Sequence, residues 1–442
     1  VQKFSFDFYR EMARRQKAHL NHCIMKSTYY LFLCLCIPLF ALTSCENDLE
    51  GDNFGQDTER YDIPLTSKSA EVNAKVQKFS FDFYREMARR QKADFCISPL
   101  SVNLCLGMVL NGADGNTYKE IQETLGYENF TYEEINAYAQ MMQTELPKLD
   151  GRTIFTNANS VWVRNDFKVL ESFVKTNKMY YNAEVYNEPF NDGTKDKVNR
   201  WCADKTNNLI QKILDDSSSD AVSLLINAIY FKGVWTSEFK EKDTKDEPFY
   251  LNSGEEIKVP TMRQENTTDC YVDDKVSVVE LPYGNGAFSL VVFMPSADDE
   301  VALSRLIEGL DDTEWNHWID KMKRQNLKLY LPRFKFESPS MDLKEIMRVM
   351  GISDAFDPVL ADFSMMCDAS VYVNEVKQKT FIEVNESGTE AAAVTMADMN
   401  LSMDSPAPTI SELRFDHPFG YVLKEKSTGA ILFAGRVDKP TI

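Results

Sequence analysis

The chain has 442 residues, 43% of them hydrophobic, and a formal net charge of −19. With 68 acidic residues against 49 Lys and Arg and no basic stripe, nucleic-acid and heparin-like partners are not expected. Length alone would allow two or three domains, but no Gly/Pro/Ser-rich linker interrupts residues 70–442, so the body reads as one domain.

Residues 1–18, VQKFSFDFYREMARRQKA, recur letter for letter at 76–93. Residues 1–24 are therefore set aside as an artefactual copy ahead of a plausible start at Met25. From Met25-Lys26 the sequence reads as an export signal over 25–44. Its apolar run is about fourteen residues, short of the ~20 needed to span a bilayer. Leu42-Thr43-Ser44-Cys45 closes the run and resembles a bacterial lipobox, which makes Cys45 the expected lipidation site and first mature residue. Residues 45–69 then read as an acidic tether. The protein is thus expected to be an exported bacterial lipoprotein at the outer membrane or cell surface, held to the membrane through the lipid on Cys45.

In the body, 76–91 forms an amphipathic helix with Phe79, Phe83 and Met87 on one face. Ser98 is placed to cap a helix that starts at Pro99 and runs to Asn111-Gly112. Thr117 and Glu120 have the spacing of a capping box for a further helix that ends at Gly126. A strand at 159–163, a helix over 168–179 and a helix over 198–210 follow. Residues 222–231, VSLLINAIYF, read as a strand buried on both faces. Beyond Phe249 strands dominate, with a helix at 341–350, a strand at 381–384 and a closing hairpin turned at Ser427-Thr428-Gly429. Helices first and strands later give a mixed α+β domain with large antiparallel sheets.

One stretch stands apart. From Thr389, every second residue is uncharged and mostly small: Ala391, Ala393, Thr395, Ala397 and Met399. Glu390, Asp398 and Asn400 point the other way. A strand that must enter an already folded sheet needs this alternation, because small residues cross a packed interior without severe overlap and outward charges stay wet. An exposed Ala-rich helix or a flexible linker is the alternative, since Ala, Glu and Met favour helix.

No enzyme signature accompanies this stretch. The mature chain has two histidines, His317 in EWNHWID and His417 before Pro418-Phe419, neither in a metal-binding pattern. A GxSxG elbow, a GxxxxGK[ST] loop, an HExxH helix and a paired CxxC set are absent. The body cysteines, 96, 105, 202, 270 and 367, are odd in number and lack framework spacing, so they read as buried thiols. Neither an enzymatic activity, a cofactor nor a metal is expected.

Seven motifs occur in one order: ISPLS at 97–101, LINAIYFKGVW at 225–235, LPYGNGAFSLVVFMP at 281–295, LPRFKF at 331–336, ADFS at 361–364, FIEVNESGTEAAAVT at 381–395, and FDHPFGYVL with GAILFAGRV at the end. In this the body resembles the serpin family of serine protease inhibitors. The resemblance implies a fold of three β-sheets and about nine helices with an exposed reactive-centre loop. A target protease cuts that loop, is held as an acyl-enzyme, and is dragged away as the loop inserts into the main sheet. By position, Glu386, Gly388, Thr389 and Glu390 match the hinge, and Ala391, Ala392 and Ala393 its small-residue segment. Glu386 is expected to pair with Arg333, and Trp235 matches the tryptophan beneath the point where the loop enters. Ser98, Ser101 and Asn227 match the shutter, where Gln378 stands in place of the family's frequent histidine, so no titrating switch is expected there.

The resemblance also locates the cut. Counting forward from the hinge puts it between Ser402 and Met403, with Leu401 and Met399 as neighbouring alternatives; counting back from Phe415 puts it near Ala407. The forward count is preferred, because the inserted length must match the sheet while about five extra residues beyond the cut cost little closure entropy. No Lys or Arg lies between Gly388 and Leu413, which disfavours trypsin-like targets. Elastase-, chymotrypsin- and subtilisin-like serine proteases are the expected partners, with papain-like cysteine proteases as further ones, bound by a monomer. The alternative is a non-inhibitory binding protein on the same fold.

Overall fold

The computed structural model describes residues 58–216, 221–296, 301–389 and 411–441. Cys45, the hinge residues 390–393 and every expected cut position from 399 to 407 lie outside the described residues, as do the leader and the copied segment.

Nine α-helices lie among the described residues: α1 (Ser67–Arg90), α2 (Pro99–Leu110), α3 (Gly115–Leu125), α4 (Tyr132–Glu145), α5 (Glu171–Tyr181), α6 (Asp192–Lys205), α7 (Ala302–Glu308), α8 (Asp312–Lys321) and α9 (Lys344–Met350). Their local chemistry is plain in most cases. The Thr66 hydroxyl accepts from Ser69 N at 3.1 Å and starts α1, which buries Val72, Val76, Phe79, Phe83 and Met87. The folded part therefore begins ahead of residue 70, where the sequence reading had placed its boundary. α2 opens with Pro99 and is buried along its whole length. Ser98 precedes it but does not cap it through its side chain, because its hydroxyl donates instead to Leu432 O at 2.6 Å. α3 is capped by Asp114, three residues before Thr117, and ends at the left-handed Gly126 as expected. Thr117 is buried inside the helix and receives Asp362 N at 2.9 Å. α4 carries a complete Thr131/Glu134 capping box and was not anticipated.

The strands are β1 (Phe95–Ile97), β2 (Thr153–Arg164), β3 (Glu184–Glu188), β4 (Ser223–Val234), β5 (Lys245–Tyr250), β6 (Glu256–Val272), β7 (Val276–Tyr283), β8 (Phe288–Pro295), β9 (Lys323–Pro332), β10 (Phe334–Glu337), β11 (Met341–Asp342), β12 (Glu375–Lys379), β13 (Phe381–Val384), β14 (Gly388–Thr389), β15 (Ser411–Arg414), β16 (Phe419–Glu425) and β17 (Ile431–Val437). One network runs β1-β17-β16-β8-β7-β6-β9-β15, with β5 also on β6. The seventeen-residue β6 pairs β5 and β9 as well as β7, so it joins two of the expected sheets edge to edge.

The other network is the main sheet. β4 sits at its centre, paired antiparallel with β2 on one side and parallel with β12 on the other, and β3 lies outside β2. All twelve residues of β4 are buried, as the continuous apolar run requires. Its two faces meet different cores. Leu225, Ile229 and Phe231 pack into the main core, while Leu224, Ile226 and Ala228 join a second core with Trp162 of β2 and Val198 and Trp201 of α6.

Candidate functional site

The central sheet is closed at one end and parted at the other. β12 follows β4 from Glu375↔Leu224 to Lys379↔Ala228. Further up, β14 lies between β13 and β4: Thr389 pairs with Val384 on one side and Gly233 on the other, and Gly388 pairs with Val234. Among the described residues, no strand is paired with β4 between Ala228 and Gly233 on this side. The two residues of β14 thus form a wedge at the head of a seam one strand wide.

Gly388 has to be glycine. Its φ is +154°, and a Cβ there would lie 2.0 Å from Gly233 O and 2.8 Å from Val234 Cα. An Asx turn sets up the approach, with Asn385 Oδ1 accepting from Ser387 N at 3.0 Å and Gly388 N at 3.2 Å. Trp235 lies under it. Its backbone N donates to Ser387 O and its Nε1 to Asn385 O, each at 2.9 Å, and its ring stacks on Tyr283 with centroids 4.3 Å apart. Tyr283 in turn shares a 2.6 Å hydrogen bond with the Thr389 hydroxyl. Burial pushes the Tyr283 phenol well above its ordinary pKa, so it stays protonated.

Glu386 is 2% exposed, and its charge is met by converging donors. Arg333 Nε at 2.7 Å, Arg333 Nη2 at 2.6 Å and the Thr244 hydroxyl all reach Oε1, while Phe239 N donates to the Glu386 carbonyl at 2.9 Å. The structure therefore gathers Trp235, Arg333, Glu386, Gly388 and Thr389 at one end of the seam. Tyr283, Thr244 and Asn385 belong with them and were missed by the sequence reading.

A second group closes the seam lower down. Asn227 and Gln378 are paired residues of β4 and β12, and Gln378 Nε2 donates to Asn227 Oδ1 at 3.1 Å and to Ser98 O at 3.2 Å. Ser98 N returns a bond to Gln378 Oε1 at 3.1 Å. Asn227 Nδ2 donates to Ser101 Oγ and, at 2.7 Å, to Asn159 Oδ1, and the Ser101 hydroxyl donates to Asn157 Oδ1. All four expected residues meet here, joined by Asn157 and Asn159, which nothing in the sequence had marked. Gln378 is fully buried and bridges β4, β12 and the start of α2 without an ionisable group.

Among the described residues no group of three or more His, Cys, Asp or Glu side chains is placed to hold a metal ion. His417 Nδ1 lies 2.8 Å from Asp416 and its ring stacks on Tyr250, while His317 packs edge-on to Tyr271. All five body cysteines are free and buried.

The central sheet thus carries a glycine-led wedge at its head and, among the described residues, a run of β4 backbone below that wedge with no strand paired to it on that side. The chain belongs to the serpin family: the family model described as Serpin (serine protease inhibitor) matches residues 74–440. Rat (Rattus norvegicus) neuroserpin is 30% identical over 391 residues, covering 85% of this chain and 93% of that protein. The leukocyte elastase inhibitor of Xenopus tropicalis is 33% identical over 376 residues, 82% and 97% of the two chains. Among solved structures, the thermophilic serpin tengpin in its native state superposes with a TM-score of 0.77 at 28% identity, covering 86% of this chain and 97% of that one.

Proposed function

We propose that this protein is a suicide-substrate inhibitor of elastase-, chymotrypsin- or subtilisin-like serine proteases, lipid-anchored through Cys45, that traps its target by inserting the cut loop into the seam beside β4. The phase of β14 carries this reading. Thr389, opposite Gly233, turns its hydroxyl to Tyr283 on the main-core face. Continuing the same register one residue at a time sets Ala391 opposite Phe231, Ala393 opposite Ile229, Thr395 opposite Asn227 and Met399 opposite Ser223 at the foot of β4. The uncharged series is then the one that enters the core. Glu390, opposite Lys232, and Asp398 fall on the face toward α6.

The chemistry is that of an interrupted hydrolysis. The protease serine attacks the carbonyl of Ser402, the bond to Met403 breaks, the leaving amine takes the proton, and an ester remains on Ser402. Ser402 lies three residues past the one opposite the foot of β4, so the attached protease is carried the length of the sheet. Slowing deacylation from ~10 per second to about a day requires roughly 8 kcal/mol. A new strand of about twelve residues, gaining on the order of 1 kcal/mol net per ladder bond, supplies a driving force of that size. Insertion also widens the β4–β12 spacing from ~4.8 Å to about twice that, so the Gln378–Asn227 bond has to open.

The loop carries no Lys or Arg between Gly388 and Leu413, which favours proteases with apolar or small specificity pockets, and papain-like cysteine proteases are within the same reach. Ala391 and Ala393 bring none of the bulk or charge that would favour a binding protein that traps nothing. The deciding experiment is incubation of the purified chain with an elastase. The expected product is a complex that survives boiling in detergent, with a released fragment beginning at Met403. Recovery of cut chain alone would make the protein a substrate and end the proposal.

A further inference from the structure

α2 is buried along its whole length, yet one of its faces is not apolar. Asn103 and Gly107 lie on it one turn, about 6 Å, apart, and Asn111 continues the face at the helix end. Polar groups from three other segments come down onto this stripe. Tyr127, in the link between α3 and α4, donates its hydroxyl to Asn103 Oδ1 at 2.9 Å. Tyr181, the last residue of α5, lays its phenol against Gly107, where a Cβ would stand 2.9 Å from the phenolic oxygen. The Asn111 amide donates to Asn136 Oδ1 of α4 at 3.0 Å and to Asn177 Oδ1 of α5 at 3.2 Å, and closes the far end.

The notch beside Gly107 holds protons without acceptors. Asn103 and Tyr181 are each 1% exposed, and among the described residues neither Asn103 Nδ2 nor the Tyr181 hydroxyl meets a hydrogen-bond partner. Burial pushes the Tyr181 phenol well above its ordinary pKa, so the proton stays. Asn111 lies near enough to oppose that rise but not in bonding geometry, and an amide N–H would leave the phenolic proton unplaced in any case. The Tyr127 oxygen, having given its own proton to Asn103, keeps lone pairs free, and it is close enough to Tyr181 to raise that phenol further.

Two requirements define what fits between these groups. Atoms about one helical turn apart are spanned by two bonds of ~2.8 Å through a single atom. The occupant must also accept twice, donate once and carry no charge, because neutral amides and protonated phenols offer nothing to offset the desolvation of an ion. Water meets both.

We propose that the notch between α2 and α5 is a buried water site, in which one molecule accepts from Asn103 Nδ2 and Tyr181 Oη and donates to Tyr127 Oη. The molecule is a structural ligand that joins α2, α5 and the α3–α4 link at one point. Ser98 and Ser101, at the start of α2, belong to the group that closes the seam, so the water steadies the helix on which that group is mounted. Nothing in this depends on whether the chain traps a protease.

The first test is a crystal structure of the unaltered chain fine enough to show single waters. One peak within about 3 Å of all three atoms is expected, and a direct Asn103–Tyr181 contact or an empty notch would overturn the proposal. Thermal melting gives an independent reading through its sign. Tyr181→Phe keeps the ring and removes the hydroxyl, and should lower the melting temperature by about 2 °C because a bonded group is lost. A dry notch predicts a rise, since the same change then deletes an unmatched polar atom. Asn103→Leu should lower it as well, and the double variant should lose less than the sum, because the two residues are coupled only through the shared molecule. A rise in Tyr181→Phe, or additive losses, would sink the site. Should Asn103→Leu fail to fold, the crystal of Tyr181→Phe decides: the peak should vanish or move, and an unmoved peak would show that the hydroxyl does not hold it.

Discussion

Thr389 and Tyr283 share a buried 2.6 Å hydrogen bond, which turns Thr389 to the main-core face and sets the register of the proposed insertion. Thr389→Arg would bring an unpaired charge into that contact, at a cost of several kcal/mol. The expected outcome is a chain that folds, is cut by elastase and releases it, with no rise in heat resistance after cutting. Ala391→Arg, which the proposed register sets opposite Phe231, should give the same substrate behaviour. Detergent-stable complex at wild-type yield from either variant would refute insertion in this register.

Glu386 and Arg333 form a clamp that can be tested apart from the loop. The carboxylate is nearly sealed from water, whereas the Arg333 side chain keeps 31% of its exposure, so solvent relieves a lone arginine more readily than a lone glutamate. Arg333→Met should therefore cost more than Glu386→Gln, by about 1–2 kcal/mol, and the double variant less than the two added together. Thermal melting of the uncut chain measures all three. Additive losses would show that the 2.6 Å contact is not an energetic pair.

How much of this was legible beforehand depended on distance along the chain. The alternation from Thr389 onward was readable because period-two patterning is local, whereas the hinge assignment of Glu386, Gly388 and Thr389 came from the resemblance, and residues past Thr389 lie outside the described ones. Arg333 and Trp235 came from the resemblance rather than from any local signal. Thr244, Tyr283, Asn157 and Asn159 were not readable, since each enters its cluster from a strand remote in sequence and a lone polar residue in a strand carries no mark of its partner. α4 was missed although its signals are local: Thr131 and Glu134 spell its capping box, and Ile135, Tyr138, Ala139 and Met142 keep the i, i+3, i+4, i+7 spacing of a helix face. Thr117 was misjudged as a cap: the Thr-x-x-Glu spacing is present, but Asp114 precedes it and stops the backbone first.

The proposed Cys45 anchor makes a prediction independent of the hinge. Cys45→Ser removes the thiol that would carry the lipid of the proposed anchor. The variant should move from the membrane fraction to the soluble fraction of the exporting cell while still forming complex with elastase. Membrane association unchanged by the substitution would sink the lipobox assignment and leave the inhibitor reading intact.

Glu280 on β7 is the clearest acid-sensitive group. It is 6% exposed and accepts from Ser289 Oγ at 2.7 Å, from Lys424 Nζ at 3.2 Å and from Lys426 Nζ at 3.0 Å, with Trp315 of α8 beneath Lys424. Burial alone would push its pKa up, but the two lysines and the hydroxyl outweigh burial and hold it below the ordinary carboxylate value. A carboxyl group depressed in the folded state adds stability above its unfolded pKa of about 4.3, and that stability is lost as pH falls through the folded value. Lys424 works in the opposite sense: burial lowers its pKa against the pull of Glu280, so its charged form is a cost that only the carboxylate offsets. Glu280→Gln should therefore lower stability at pH 7 by about 3 kcal/mol, because it leaves a buried ammonium without its counter-ion. The difference from wild type should begin to shrink as pH falls below about 4.3, where the unfolded chain takes up its proton before the native carboxylate does. Melting the loop-cut form of both proteins at pH 7, 5 and 3.5 measures this, and a gap that held constant to the lowest pH would show that Glu280 carries no depressed pKa.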